Sequence, residues 1–353
     1  MARLSKLRHH ASMSSIHYEF ESTPGIGETM PVTDGLHWLR MPLPFSLAHI
    51  NLWLIEDSNG WVVVDTGLGT ETTKDVWKAT FDGPMGGHPV THVIATHLHP
   101  DHVGCAGWLV REFHVDLWMS REEYMLCRIL VGDTGRQAPP EGVQFYESAG
   151  FPSDAIDRYR KNFGMFGKMV APMPESYKRL EDGQHHRFGD HEWEVMVGRG
   201  HSPEHACLYC ADCNVLLSGD QVLPSISSNV SVWPTEPEAN PLHDWISTLR
   251  GLKARLPEDV LVLPAHGKPF RGAHNRIDDL VNEHLDKLDQ LLEFCKEPRR
   301  AIDAFPALFR SQVPDDHLIM ATGEAIAHLN YLHNEGALIA DTDGDGIIWY
   351  HRN

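Results

Sequence analysis

No stretch of this 353-residue chain approaches the roughly 20 consecutive apolar residues that a helix needs to span a bilayer. Its basic start, "MARLSKLRHHASMSS", also lacks the apolar core of a signal peptide. Cysteine is scarce: six residues at scattered positions do not make a disulfide framework, so reduced thiols and a cytoplasmic setting are expected. Cys207, Cys210 and Cys213 have part of a metal-knuckle spacing, but a fourth thiolate is missing. That stretch reads as strand, turn, strand with three half-buried thiols. Basic residues also run short. Against 49 Asp and Glu there are 30 Lys and Arg, a formal net charge of -19, so the surface as a whole repels polyanions and anionic membranes. Nucleic acid and membrane are disfavoured partners. Neither an internal repeat nor a low-complexity tract is present, and 42% hydrophobic residues suit a globular protein with one large catalytic domain and a small appendage.

Histidine, by contrast, is plentiful, with 24 residues, and three of them fall within "IATHLHPDHVG", residues 94–104. The surrounding pattern is layered α/β. Short strands "LHWLRMP", "HINLWLIE" and "WVVVDTG" surround a hairpin turn at "DSNG". A helix follows Gly69, and "THVIAT" is a buried strand delivering the histidine motif at its end. Strands and helices then alternate as far as His266. Residues 1–30 read as a tail and 31–270 as the catalytic domain. Within it, 121–174 reads as a helical insertion rich in Phe, Tyr and Met, including a helix N-capped by Ser153. Residues 271–353 carry a Leu stripe at 280, 285, 288 and 292, a second helix closed by Gly336 and a final hairpin, the order of a small winged-helix-like domain.

Pro100 argues against a helix in the histidine motif, so the two-histidine helical zinc pattern does not apply. A loop leaving a strand can instead point its side chains toward two positions. His97, His99, Asp101 and His102 do not complete two sites alone. Further donors stand at other strand ends: His201 in "VGRGHSPEH", Asp220 in "LLSGDQV" and His266 in "VLVLPAHG". Imidazole and carboxylate donors suit zinc, with iron or manganese as alternatives. The division expected is His97, His99 and His201 for one ion and Asp101, His102 and His266 for the other, with Asp220 bridging. A water shared by two such ions would act as a hydroxide nucleophile, and Asp101 would orient it and shuttle its proton as the catalytic residue.

The run from His97 to His102, followed by His201, Asp220 and His266, resembles the metallo-β-lactamase-fold hydrolase superfamily. "VVVDTG" at 62–67 matches its first motif, which implies that Asp65 orients ligands rather than binding metal. The C-terminal residues resemble the winged-helix-like extension of the LACTB2 branch, which is similar to glyoxalase II. The resemblance implies an αββα sandwich with two metals on the rim between its sheets.

Several chemistries share that fold. Leu223 stands where acyl-homoserine lactonases have a tyrosine, and "QVLPSISSNVSVWP" lacks the basic stretch that holds glutathione in glyoxalase II. An endoribonuclease or other phosphodiesterase is the rival reading, yet residues 270–353 hold 8 basic and 15 acidic side chains, where a nucleic-acid surface would be basic. The expectation is a binuclear metal-dependent hydrolase of a small-molecule ester, thioester or lactone with an apolar portion. β-Lactam hydrolysis as a side activity and a non-catalytic metal-binding sensor are further alternatives. Met125, Phe163, Met165 and Phe166 are candidates to line the apolar pocket, and Ser227 and Asn229 to face the metals. "DTDGDG" from Asp341 begins like a calcium loop, but Arg352 stands where the bidentate glutamate is required, so it reads as a tight turn. The C-terminal domain is expected to be a packing or homodimer element.

Overall fold

The computed structural model describes residues 16–44 and 47–353. Of the expected tail, residues 1–15 therefore lie outside the described residues. In chain order the strands are β1 (His17–Tyr18), β2 (Thr29–Thr33), β3 (Leu36–Pro42), β4 (His49–Asp57), β5 (Gly60–Val64), β6 (Val90–Ile94), β7 (Leu117–Met119) and β8 (Lys178–Arg179). They continue with β9 (His185–Phe188), β10 (His191–Gly198), β11 (His205–Cys210), β12 (Val215–Gly219), β13 (Leu261–Pro264), β14 (Phe270–Arg271), β15 (Leu338–Thr342) and β16 (Ile348–Arg352). The helices are α1 (Glu71–Asp82), α2 (Pro100–Val103), α3 (Ala106–Phe113), α4 (Arg121–Gly132), α5 (Pro140–Ser148), α6 (Ser153–Asn162), α7 (Pro241–Arg255), α8 (Ala273–Phe294), α9 (Phe305–Leu308) and α10 (Leu318–Asn334). None of the described helices is long and apolar enough to cross a membrane.

Strands β2 to β8 form one seven-stranded sheet in chain order; β9 to β14 with β1 at the edge form a second, and β15–β16 are a separate hairpin. Period-two alternation makes each sheet apolar on both faces. In β4, Trp53 and Ile55 enter the layer between the sheets, while Leu52 and Leu54 face the helices beside Trp77 of α1 and Leu109 of α3. The second sheet sends Trp193, Val195, Leu208 and Leu217 into the shared layer and covers its other face with α7, α8 and α10. The result is the αββα sandwich. Trp38, Trp53 and Trp193 are all fully buried in its middle, where truncating one to alanine costs about 3–5 kcal/mol.

Two local expectations are corrected. Pro100 does not exclude a helix: it opens the one-turn α2, because the first helical position needs no amide proton. Ser153 is the first residue of α6 rather than its cap, which is Pro152. The inserted helices divide between two cores: Tyr124 and Cys127 of α4 pack with the first sheet, Phe145, Tyr146 and Tyr159 of α5 and α6 with the C-terminal helices.

Gly104 closes α2 against the chain after β5. A Cβ there would lie 2.3 Å from the Pro100 carbonyl oxygen, 2.4 Å from the Gly69 nitrogen and 2.6 Å from the Gly67 oxygen. All three are backbone atoms, so none can swing aside. Gly104→Ala is therefore expected to cost about 2–3 kcal/mol, at the upper end for overpacking. Urea unfolding of the variant against the parent checks this; an unchanged midpoint would show that α2 can move.

Candidate metal centre

The donor residues occupy strand ends on one rim. β5 and β6 are parallel, as are β12 and β13, so their carboxyl ends open on the same side of the sandwich. Asp65 follows β5, the 97–102 stretch follows β6, and Asp220 and His266 follow β12 and β13; His201 lies in the connection from β10 to β11. All seven sequence-predicted donors meet there. Donor atoms of His97, His99, His201 and Asp220 lie within 4.8 Å of one another, and those of Asp101, His102 and His266 form a second such group. Asp220 faces both groups: Oδ2 is 3.5 Å from Nε2 of His201 and of His102, and Oδ1 is 3.6 Å from His266 Nε2.

Three of these atoms suit a cation. His102 Nε2, His201 Nε2 and Asp220 Oδ1 are buried without a hydrogen bond, and a buried polar atom rarely stays unsatisfied. Meanwhile the opposite ring nitrogens are engaged, which fixes the rings and leaves Nε2 as donor. His102 Nδ1 donates to Asp65 Oδ2 at 2.7 Å, and His201 Nδ1 donates to the Asn229 carbonyl at 2.7 Å. His97 Nε2 and His99 Nδ1 lie 2.9 Å apart.

Electrostatics separates the two groups. Burial and four neighbouring histidines hold His97 well below the ordinary range, and burial with His201 brings His99 down to about 3. Both are neutral donors at any ordinary pH. In His102 burial pulls the same way, but Asp65, Asp220 and Asp101 outweigh it, so its pKa rises; Asp220 and Asp101 do the same for His266. Asp220 is held well below the usual carboxylate range: burial opposes ionisation, and His102 and His266 overcome it.

Four supporting residues carry no signal in the sequence, and a fifth, Asn229, supports the site otherwise than expected. Asn51 of β4 sends its amide to the Pro264 and Gly267 carbonyls at 2.8 and 2.7 Å, tying the first sheet to the His266 loop of the second. Glu123 of α4 is fully buried and accepts from the Leu98 and Glu204 amides at 2.9 and 2.8 Å, joining the two histidine-bearing loops; burial pushes its carboxyl up to about 7. His205 Nε2 accepts from the Asp220 amide at 3.0 Å, and Gly219 at φ 48° leaves room for that ring. Arg276 of α8, almost wholly buried, donates to the Leu223 and Ile226 carbonyls and sets the loop after Asp220. Asn229 acts through its backbone on His201, while its side chain donates to Glu324 of α10.

Other candidates disperse. Phe163 and Phe166 pack into different cores, and Met125 and Met165 are exposed, so the four make no common pocket. Ser227 meets His284 at 3.3 Å rather than a metal donor. In the final hairpin Asp343 accepts from the Asp345 and Ile347 amides and from Trp349 Nε1, which uses its carboxylate inside the turn.

Asp65 sits at φ 61°, a region asparagine tolerates, and accepts from the Thr96 amide and hydroxyl as well as from His102. Asp65→Asn is expected to fold and to lower metal affinity about 10–100-fold, read by chelator competition. Affinity equal to the parent's would remove Asp65 from this role. The raised pKa values of His102 and His266 mean that a cation there displaces protons, whereas His97 and His99 have none to lose. Acidification is therefore expected to empty the Asp101–His102–His266 half first. Calorimetric zinc titrations of metal-free protein in buffers of different ionisation enthalpy check this; equal proton release by both equivalents would contradict it.

Residues 47–266 match the Metallo-beta-lactamase superfamily, and residues 288–353 match the metallo-beta-lactamase-like C-terminal domain. A solved beta-lactamase domain protein from Burkholderia ambifaria is 39% identical with a TM-score of 0.88, covering 96% of this chain and 98% of its own. The acyl-coenzyme A thioesterase MBLAC2 of Gallus gallus is 28% identical over 263 residues, 73% of this chain and 86% of its own length. The atrochrysone carboxyl ACP thioesterase of Aspergillus fumigatus is 22% identical over 279 residues, 78% of this chain; the chain spans 51% of that relative. With the sandwich, the rim of strand-end donors and a matched segment covering more than half its length, the chain belongs to the metallo-beta-lactamase superfamily.

Proposed function

We propose that this protein is a metal-dependent hydrolase of thioesters with an apolar acyl portion. The observation that carries it is the rim of seven donors, three of whose buried atoms, His102 Nε2, His201 Nε2 and Asp220 Oδ1, lack partners. Relatives named as an acyl-coenzyme A thioesterase and an acyl-carrier-protein thioesterase support thioesters among the ester, thioester and lactone classes.

His97, His99, His201 and Asp220 would hold one divalent cation and Asp101, His102 and His266 a second, with Asp220 facing both; zinc suits these donors. When bound, the pair supplies Lewis acidity toward water and toward the thioester carbonyl. Asp101 is the most solvent-open of the three rim aspartates, with Oδ2 3.3 Å from His266 Nε2. Its carboxylate takes the proton from the attacking water and returns it to the departing thiolate, as a new C–O bond replaces the C–S bond. Asp65 keeps His102 oriented throughout.

Apolar contact comes from the loop after Asp220. Ile226 and Trp233 are exposed on it, and Met320 is exposed on α10, whose backbone carbonyl holds Ser231 of the same loop. The charge of -19 weighs against RNA as substrate. Residues 31–270 are read as the catalytic domain and 271–353 as a winged-helix-like unit whose helices buttress it. Six unpaired cysteines fit a reducing, cytoplasmic setting.

Zinc-loaded protein is to be assayed against acyl-coenzyme A thioesters, lactones, aryl esters, a β-lactam and single-stranded RNA. Thioester turnover is expected, with kcat reduced about 10²–10⁴-fold in Asp101→Asn. Cleavage of RNA alone, or undiminished turnover in that variant, would overturn the assignment.

A further inference from the structure

The three-cysteine stretch splits in the fold. Alternation along β11 turns Cys207 toward the helices, where its thiol meets the Ser218 carbonyl at 3.5 Å, and turns Cys210 into the layer between the sheets. Cys213 lies within a turn in which the Asn214 amide donates to the Ala211 carbonyl at 3.2 Å, and it packs against the layer between the sheets. β10 pairs antiparallel with β11 through Glu194 and Tyr209, so His191 at its start stands across from this turn. The Sγ atoms of Cys210 and Cys213 and a ring nitrogen of His191 lie within 4.8 Å of one another.

We propose that Cys210, Cys213 and His191 form a third metal site that takes a thiophilic divalent cation, zinc by its donor set. Two thiolates spaced Cys-x-x-Cys on a strand turn, with an imidazole from the neighbouring strand, are structural zinc ligands by type and spacing. Tetrahedral bonds of about 2.3 Å to sulfur and 2.0–2.1 Å to nitrogen bring donors somewhat closer than 4.8 Å. Side-chain rotation supplies the difference. Cys210 is fully buried while Cys213 and His191 are half-buried, so the site has a dry side and an open one. On the open side Asp212 Oδ2 stands 3.9 Å from His191 Nδ1, available as fourth donor. A simple disulfide would use two of these groups and leave the imidazole without a role.

The site is separate from the rim. β11 runs from His205, which touches the Asp220 amide, to Cys210 at its other end, about 17 Å away at the usual rise per residue. No ligand can be shared. The ion would pin the corner of β10, β11 and β12, and β12 leads directly to Asp220.

Cobalt(II) added to metal-free, fully reduced protein without oxygen provides the test. Thiolate-to-cobalt charge transfer absorbs in the near ultraviolet, and the rim donors, all imidazole and carboxylate, cannot produce it. The band is expected in the parent and in His97→Ala, and is expected to be absent from Cys213→Ser, which binds one equivalent fewer and keeps its hydrolytic activity. His191→Gln retains both thiols and is expected to bind this equivalent more weakly, by more than the roughly 10–100-fold lost when a ligand's orienting partner is removed. That variant and the parent's own spectrum decide the matter if Cys213→Ser does not fold. A cobalt-saturated parent with titratable thiols and no band would overturn the site, as would a band that survives in Cys213→Ser. So would a Cys210–Cys213 disulfide, with no sulfur-bound metal, in protein purified anaerobically.

Discussion

Buried charge is the constraint on which the rest of this structure depends. Asp65, Asp101 and Asp220 gather around five imidazoles in a space nearly closed to water, and such a group is tolerable only when protons or cations balance the carboxylates. Asp65 accepts three hydrogen bonds, two from Thr96 and one from His102, so both of its oxygens are engaged inside the protein. Asp220 and Asp101 point the other way, toward ring nitrogens 3.3–3.8 Å off. Among the atoms at those longer distances, His102 Nε2, His201 Nε2 and Asp220 Oδ1 make no internal hydrogen bond, the condition under which a cation could take them up.

The sheets supply the stiffness this balance needs. Each donor follows a strand buried on both faces, and the fully buried tryptophans of the middle layer fix the separation of the two sheets that bring donors from opposite sides. Cross-links at the rim then set the final positions. Asn51 reaches from the first sheet to the His266 loop, and Glu123 spans the loops after β6 and β10. The C-terminal helices take part as well, since Arg276 shapes the loop after Asp220 and a chain of contacts runs from His201 through Asn229 and Glu324 to Lys287 of α8. The C-terminal helices thus brace the loops that carry His201 and Asp220.

The sequence by itself determined the alternation of strands and helices and the chemical type of the rim donors. Both are local: apolar runs with period two form strands, and polar residues that end such runs fall at strand ends. Motif order carried the family resemblance in the same way. Tertiary structure alone decided which distant residues support the rim. Nothing near Asn51, Glu123 or His205 in the chain reveals their partners, which lie in other loops and, for Asn51, in the other sheet. It also decided how the cysteines sort, because strand parity separates Cys207 from Cys210 and only the pairing of β10 with β11 brings in His191. The four aromatic and methionine residues of the insertion were scattered likewise: their composition suggests an apolar pocket lining, whereas the fold divides that segment between two cores.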